Sequence, residues 1–401
     1  MGQSIVDCLR IVEQELVLFA AFWFIVGAAD ELAVDLVWLW LRLSGRSRSH
    51  SLPRGYENRP LSGRFAVLVP AWKEPEVIGE MIAHTLHAWP QRAMTLYVGC
   101  YCNDFATLAS AMAGAGADPR VRLVVHDRPG PTTKADCLNR LHRALIADEH
   151  RQGITYTGVV FHDAEDMVHP AALSAIDRAL ERFDFVQLPV RPEPQRSSRW
   201  VAGHYADEFT EAHAKTLVVR AALTAAIPAA GVGCGLSRAA LDRLASQRAG
   251  EGEAGPFSRD SLTEDYELGL LLSRFGARKC FLRARDSGGE LVATRAFFPV
   301  TLAQAVRQKT RWIHGIALQG WDRLGWTRRP VDVWMELRDR RGPLAAIVLA
   351  AAYLLIVVEG LLEAARLGGL EATTVRSPLV GTMIVLCFAS FAWRAAWRFT
   401  F

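Results

Sequence analysis

Between about residues 60 and 300, short β-rich runs alternate with helix-patterned stretches, and that alternation restricts the fold more than any other feature of the chain. Phe65-Ala66-Val67-Leu68-Val69 reads as a strand stopped by Pro70. Thr95 to Cys100, Val121 to Val125, Val159 to Phe161 and Phe185 to Val190 read as four more, with helix-like stretches such as Pro75 to Ala88 and Lys134 to Asp148 between them. Strands that alternate with helices predict an α/β fold, with a mostly parallel sheet flanked by helices on both faces. Ligands in such sheets bind beyond the carboxyl ends of the strands. The charged residues just after the first, second and fourth runs are therefore predicted to stand at a site.

Apolar residues concentrate at the two ends of this 401-residue chain, 51% of which is hydrophobic. Leu16 to Ala29 is uninterrupted; Asp30, Glu31 and Asp35 then intrude before Leu36 to Leu41 resumes. This predicts one membrane helix, with an amphipathic helix lying on the membrane as the alternative. Arg10 is the only basic residue ahead of the run, which argues against a cleaved signal peptide. Leu344 to Leu362, with Glu359 near its far edge, is a second span, and Leu379 to Trp393 a third, joined by a loop holding Arg366, Glu371 and Arg376. Arg42, Arg46, Arg48 and Arg54 follow the first span; Arg328, Arg329, Arg338, Arg340 and Arg341 precede the second. Basic flanks face the cytoplasm, so the central segment is expected there, and Arg394 and Arg398 put the C-terminus there too. The expected organisation is a membrane helix and basic flank over 1–50, a cytoplasmic domain over 51–330, and membrane helices over 331–401.

The formal net charge of +4 is explained by those flanks, and no basic stripe with interleaved aromatics points to nucleic acid. Seven cysteines lie without metal spacing, as thiols in a reducing compartment would. The basic residues are nearly all arginine. Of the five lysines, Lys73, Lys134 and Lys309 fall inside motifs, while Lys215 and Lys279 do not.

Asp163-Ala164-Glu165-Asp166 ends the fourth strand with three carboxylates in four residues. Packed carboxylates repel, and a divalent cation removes that cost, so the cluster suits a metal–diphosphate complex; a solvated acidic turn is the alternative. Lys134 opens a helix, where an ammonium beside a helix N-terminus can contact phosphate, or can simply be a surface lysine. Gly231-Val232-Gly233-Cys234-Gly235 precedes a helix without the lysine of a phosphate loop, and reads either as close backbone approach to a sugar acceptor or as a tight loop. Thr263-Glu264-Asp265 sets two carboxylates before a helix over Tyr266 to Phe275, unless Thr263 is only its N-cap. Arg248 to Ser258 reads as a mobile surface loop. In Gln308-Lys309-Thr310-Arg311-Trp312, Gln308 and Arg311 share one helix face and Trp312 offers a flat apolar surface.

In that order, and before a membrane helix, these motifs resemble the family 2 glycosyltransferases, the inverting enzymes that include cellulose and hyaluronan synthases. The resemblance covers roughly residues 60 to 325 and implies a GT-A fold. With His162 to Asp166, Arg307 to Trp312 and Gln319-Gly320-Trp321, the pattern is most similar to the bacteriophage-adsorption protein B group of bacterial inner-membrane glycosyltransferases linked to exopolysaccharide. The resemblance implies a nucleotide base at Asp104, with Pro70 and Glu74 lining its pocket, and a diphosphate approached by Lys134. Asp163 and Glu165 would fill the acidic positions of the D-x-D motif, holding Mg2+ or Mn2+; Asp166 competes with Glu165 for the second position. Asp265 would be the general base, with Glu264 beside it among the donor-binding residues. Gln308, Arg311 and Trp312 would close over the diphosphate and the acceptor end.

The implied reaction is inverting, metal-dependent transfer from a UDP-sugar to a growing exopolysaccharide at the bacterial inner membrane. A lipid-linked acceptor and a catalytically inactive membrane scaffold or phage-receptor component are the alternatives. Three spans are few for a polymer channel, so an export partner or further copies of the chain are expected if polymer is secreted. Members of the group often carry a further domain that senses cyclic di-GMP; ending at Phe401, this chain is expected to lack one.

Overall fold

A computed structural model describes residues 2–47, 49–195, 197–371 and 378–398, the last without its side chain. The flank arginines Arg48 and Arg376, and the side chain of Arg398, lie outside the described residues. The chain divides into two compact units, Ser44–Glu336 and Met1–Leu43 with Leu337–Phe401.

The larger unit is built on a seven-stranded sheet. In chain order its strands are β1 Arg64–Pro70, β2 Met94–Tyr101, β3 Val121–His126, β4 Tyr156–Phe161, β5 Phe185–Gln187, β6 Cys234–Ser237 and β7 Lys279–Phe281. Their spatial order is β3-β2-β1-β4-β6-β5-β7. Only β6 runs antiparallel to its neighbours. The sheet is thus mostly parallel, as the alternation of runs predicts. The chain leaves β1 toward β2 on one side and returns as β4 on the other, so β1 and β4 flank the switch point where open α/β sheets bind ligands.

Side-chain alternation along β1 divides the core. Phe65, Val67 and Val69 pack with Ile78, Met81, Ile82 and Trp89 of and beyond the Ile78–Ala88 helix. Ala66 and Leu68 face the other way, onto Leu138, Leu141 and Leu145 of the Lys134–Gln152 helix. Both faces of the sheet are covered, which is why its strands read as nearly continuous apolar runs.

Two sequence expectations differ from the structure. Phe185 to Val190 is not one strand: Phe185–Gln187 enters the sheet, while Val190–Pro192 pairs with Thr294–Ala296. Pro189 lacks the N–H to continue a ladder, and the buried Gln187 side chain donates to the carbonyls of Leu188 and Val232. Nor is Arg248 to Ser258 a free surface loop. Helix Arg238–Gly250 runs into it, Phe257 is buried, and Asn139 bonds both the N–H and the carbonyl of Phe257.

In the smaller unit, Gly2–Leu43 is one continuous helix of 42 residues. Gly2–Leu43, Gly342–Leu367 and Pro378–Trp397 are each long and apolar enough to cross a membrane. The acids that interrupt the first apolar run have partners. Asp30 and Glu31 are paired by Arg338 and Arg341, and Trp393 Nε1 donates to Asp35 at 2.8 Å. Two of the arginines read as a basic flank are therefore spent inside this unit.

Candidate active site

The carboxyl end of β4 and the start of the Glu264–Arg274 helix bring the acidic motifs together. Lys134 is the first residue of its helix, whose N-terminus is capped by Thr133 accepting the N–H of Asp136. Its Nζ lies 2.5 Å from Asp163 Oδ1. Burial alone would lower its pKa, but Asp163, Glu264 and Asp265 outweigh burial and raise it. This lysine is therefore a half-buried cation matched to the carboxylates of the site, not a free surface lysine.

Asp163, Glu165 and Asp166 follow β4 and line one cavity with Lys134, Glu264, Asp265, Gln308, Arg311 and Trp312. Among the lining side chains, five carboxylates face two cations. The imbalance appears in their protonation. Burial, then Asp163 and Glu74, push Glu165 up to about 7. Burial and the neighbouring Asp265 push Glu264 up to about 7. Asp265 is raised by burial and Asp163, against Lys134.

Asp166 is fully buried. Its Oδ2 accepts the N–H of Asp163 at 2.9 Å and lies 2.9 Å from His162 Nδ1. Its Oδ1 has no hydrogen-bond partner among the described residues. A buried acceptor left unsatisfied at the floor of an acid-rich cavity fits a cation. The donor set Asp163, Glu165 and Asp166 is thus suited to a hard divalent ion.

The Glu264–Arg274 helix carries the next two acids. Thr263 occupies the N-cap position without a side-chain capping bond, and Asp265 Oδ1 accepts the N–H of Tyr266 at 2.7 Å. Capping is therefore not what Thr263 does. The glycine-rich loop packs against this helix start, with Gly231 and Gly233 at φ +75° and +59°. Gln187 fixes the loop by accepting the N–H of Ala230 at 2.9 Å while donating to the carbonyl of Val232. The loop leads into strand β6 before it reaches a helix.

Helix Leu302–Ile313 supplies Gln308, Arg311 and Trp312, and a π-helical turn, His314–Gln319, follows it. Gln308 Oε1 is buried without a hydrogen-bond partner among the described residues. Trp312 stands 6.0 Å from the rings of both Tyr205 and Phe209. Lys309 turns away from the cavity, paired with Glu208 and 5.0 Å from the Tyr205 ring centroid. Opposite the acids, Val190, Phe209, Val232 and Phe298 give the cavity an apolar wall. Phe209 and Phe298 belong to no motif that would mark them in the sequence.

Pro70, Glu74 and Asp104 do not line this cavity. Asp104 Oδ2 accepts the N–H of Lys73 at 2.6 Å, and Oδ1 accepts that of Thr107, tying the end of β1 to the Phe105–Ala115 helix. Glu74 is the link to the cavity: burial, then Asp163 and Asp104, raise its pKa. A separate group, His169, Asp286 and Glu290, holds ligand atoms within 4.8 Å of one another. His169 Nδ1 accepts the N–H of Ala171, so in the neutral ring Nε2 carries the proton, 3.6 Å from Asp286 Oδ2, and has no lone pair to offer a metal.

Residues 62–315 match the family described as glycosyltransferase like family 2. The bacteriophage adsorption protein B of Escherichia coli K12 is 34% identical over 364 residues, covering 85% of this chain and 48% of that protein. The bacteriophage N4 adsorption protein B of Escherichia coli O157:H7 matches with the same identity and coverage. This chain spans about half the length of the curated relatives it matches. Among solved structures, a mannosyltransferase from Pyrobaculum calidifontis, in complex with GDP-Man and Mn2+, aligns with a TM-score of 0.55 at 17% identity, covering 96% of this chain and 94% of that one. That likeness is one of fold. With a family match over most of the sheet-bearing unit and relatives at this identity, the chain belongs to glycosyltransferase like family 2.

Proposed function

We propose that this chain is an inverting, metal-dependent glycosyltransferase that moves a sugar from a UDP-sugar to a growing exopolysaccharide. The observation that carries the reading is the single cavity into which Lys134, Asp163, Glu165, Glu264, Asp265, Gln308, Arg311 and Trp312 converge from separate elements. Asp163, Glu165 and Asp166 would hold Mg2+ or Mn2+, which when bound supplies charge neutralisation to a diphosphate. Lys134 and Arg311 are the cations available to the leaving oxygens. Asp265 is the base that takes the proton of the acceptor hydroxyl, and burial, with Asp163, raises its pKa and so its strength as a base. Displacement in line, with the base on one side and the diphosphate on the other, inverts the anomeric centre. Phe209 and Trp312, tilted by 51° to each other, give the cavity apolar ring faces against which a sugar ring would pack. Pro70, Glu74 and Asp104, at the ends of β1 and β2, would receive the nucleotide base.

In this reading the cytoplasmic catalytic domain spans 51–330 and is anchored in the bacterial inner membrane by helices in 1–50 and 331–401. An export partner or further copies of the chain would complete a polymer channel. The test is UDP release by the full chain over a panel of nucleotide sugars, with and without Mn2+, followed by sizing of a radiolabelled product. A ladder of long products supports polymer extension; single addition points to a lipid-linked acceptor. No release from any donor overturns the reading.

A further inference from the structure

The π-helical turn His314–Gln319 follows directly on the helix that carries Gln308, Arg311 and Trp312, and two of its residues grip the segment leading into Glu264 and Asp265. Gln319 Oε1 accepts the N–H of Leu262 at 3.0 Å, and its Nε2 donates to the carbonyl of Asp260 at 3.2 Å. Gly315 lies so close to Thr263 that a Cβ there would stand 2.6 Å from Oγ1. One turn further on, Arg323 donates to Ser258 Oγ at 2.5 Å and to Glu267 Oε2 at 3.2 Å.

These contacts matter because short-range side-chain bonds at the start of the Glu264–Arg274 helix are few: Ser261 Oγ accepts the N–H of Thr263 at 3.3 Å and Asp265 Oδ1 that of Tyr266 at 2.7 Å. Thr263 makes no capping bond there. A loop held by one hydrogen bond can pivot about it. An amide that accepts from one backbone group and donates to another two residues away fixes height and orientation together. Gly315 then sets the separation of the two segments through direct contact. Wide π turns of this kind recur at functional sites.

We propose that Gln319 is a positioning residue: it fixes the Thr263–Asp265 segment to the Gln308–Trp312 helix, so that the acceptor base and the diphosphate contacts form one rigid body. The roles of the two segments rest on the function proposed above; the grip between them does not. A displacement of the base relative to the leaving-group contacts would cost turnover while leaving donor binding in place.

The test is Gln319→Leu in the full detergent-solubilised chain, read by amide hydrogen exchange and by steady-state kinetics. Exchange across residues 260–266 is expected to rise about tenfold while β4 stays protected. With UDP-glucose, UDP-N-acetylglucosamine and GDP-mannose as donor probes, kcat for the active donor is expected to fall about tenfold with KM within about twofold. Gln319→Glu keeps the acceptor for Leu262 N–H and is expected to recover part of both. If Gln319→Leu loses the fold, Gly315→Ala probes the same grip from the second contact, with the same expected exchange and kinetic changes. Unchanged exchange across 260–266 sinks the grip. Raised exchange with unchanged kcat removes the positioning role. If the wild-type chain turns over no donor, the proposed function fails, while the exchange result still decides the grip.

Discussion

Gly231 makes room for Asp265. A Cβ at Gly231 would stand 2.6 Å from Asp265 Oδ2, and Gly231 holds φ at +75°, a conformation that L side chains rarely adopt. The glycine-rich loop is thus shaped by the carboxylate it faces. Gly231→Ala is expected to displace Asp265 and lower turnover by about tenfold or more, with donor KM little changed. Initial rates of UDP release, beside thermal melting to confirm the fold, measure this. A wild-type rate would mean that the loop yields without disturbing the acid.

Asp265→Asn keeps the shape of the side chain and removes its basicity. Transfer is expected to fall by about 100-fold or more, while UDP binding persists. Single-turnover transfer and equilibrium binding of labelled UDP separate the two effects. Turnover near the wild-type value would take Asp265 out of the mechanism.

Glu264 gives the pH dependence a sign. Its carboxyl is raised from 4.5 to about 7 by burial and by Asp265, so the folded state favours the protonated form. The stability this contributes is fully present below about 4.5 and is lost as pH rises through about 7. Glu264→Gln imitates the protonated carboxyl. Its melting temperature is expected to match wild type near pH 5 and to exceed it near pH 8, by the equivalent of about 2 kcal/mol. Melting curves of metal-free protein across that range test this, and equal curves at both ends would contradict the assignment.

Five carboxylates facing two cations make the cavity short of positive charge. Mn2+ is therefore expected to raise the melting temperature of the wild-type chain, and Asp163→Asn with Glu165→Gln to abolish most of that rise. Thermal shift against Mn2+ concentration, after EDTA treatment, is the measurement. An equal rise in the double variant would place the ion elsewhere.

Arg338 pairs with both Asp30 and Glu31 and is itself buried, with its side chain 7% exposed. Arg338→Gln leaves the two acids with Arg341 and, for Glu31, Arg394. The expected loss is about 2 kcal/mol of stability in detergent. Adding Asp30→Asn to the same chain should restore part of it, because Arg341 then no longer serves two acids. Failure of the double variant to recover would mean that the pairing is not what stabilises these helices.

The layer architecture was legible in the sequence, and so were the acidic motifs that the cavity gathers, but not Phe209 and Phe298 in its wall, nor that Pro70, Glu74 and Asp104 stand outside it. β-rich runs alternating with helical stretches, such as Phe65 to Val69 before Pro75 to Ala88, admit few arrangements other than a covered, mostly parallel sheet. Strand ends then carry Asp163 and Glu165 to its ligand edge, because strand direction dictates which end a following residue occupies. The pairings that join distant segments arise only in the folded chain. Gln319 to Leu262, Gly231 to Asp265, Gln187 to Ala230 and Arg338 to Asp30 each link residues with no local pattern to connect them. Folding also decides what Asp166 and Asp104 touch, as one carboxylate oxygen or two can be taken by backbone N–H groups that a motif does not reveal. The physical reason is the same in each case. Periodicity and strand polarity are local properties of a chain, whereas burial, charge compensation and the room left by a missing Cβ exist only once the elements have packed.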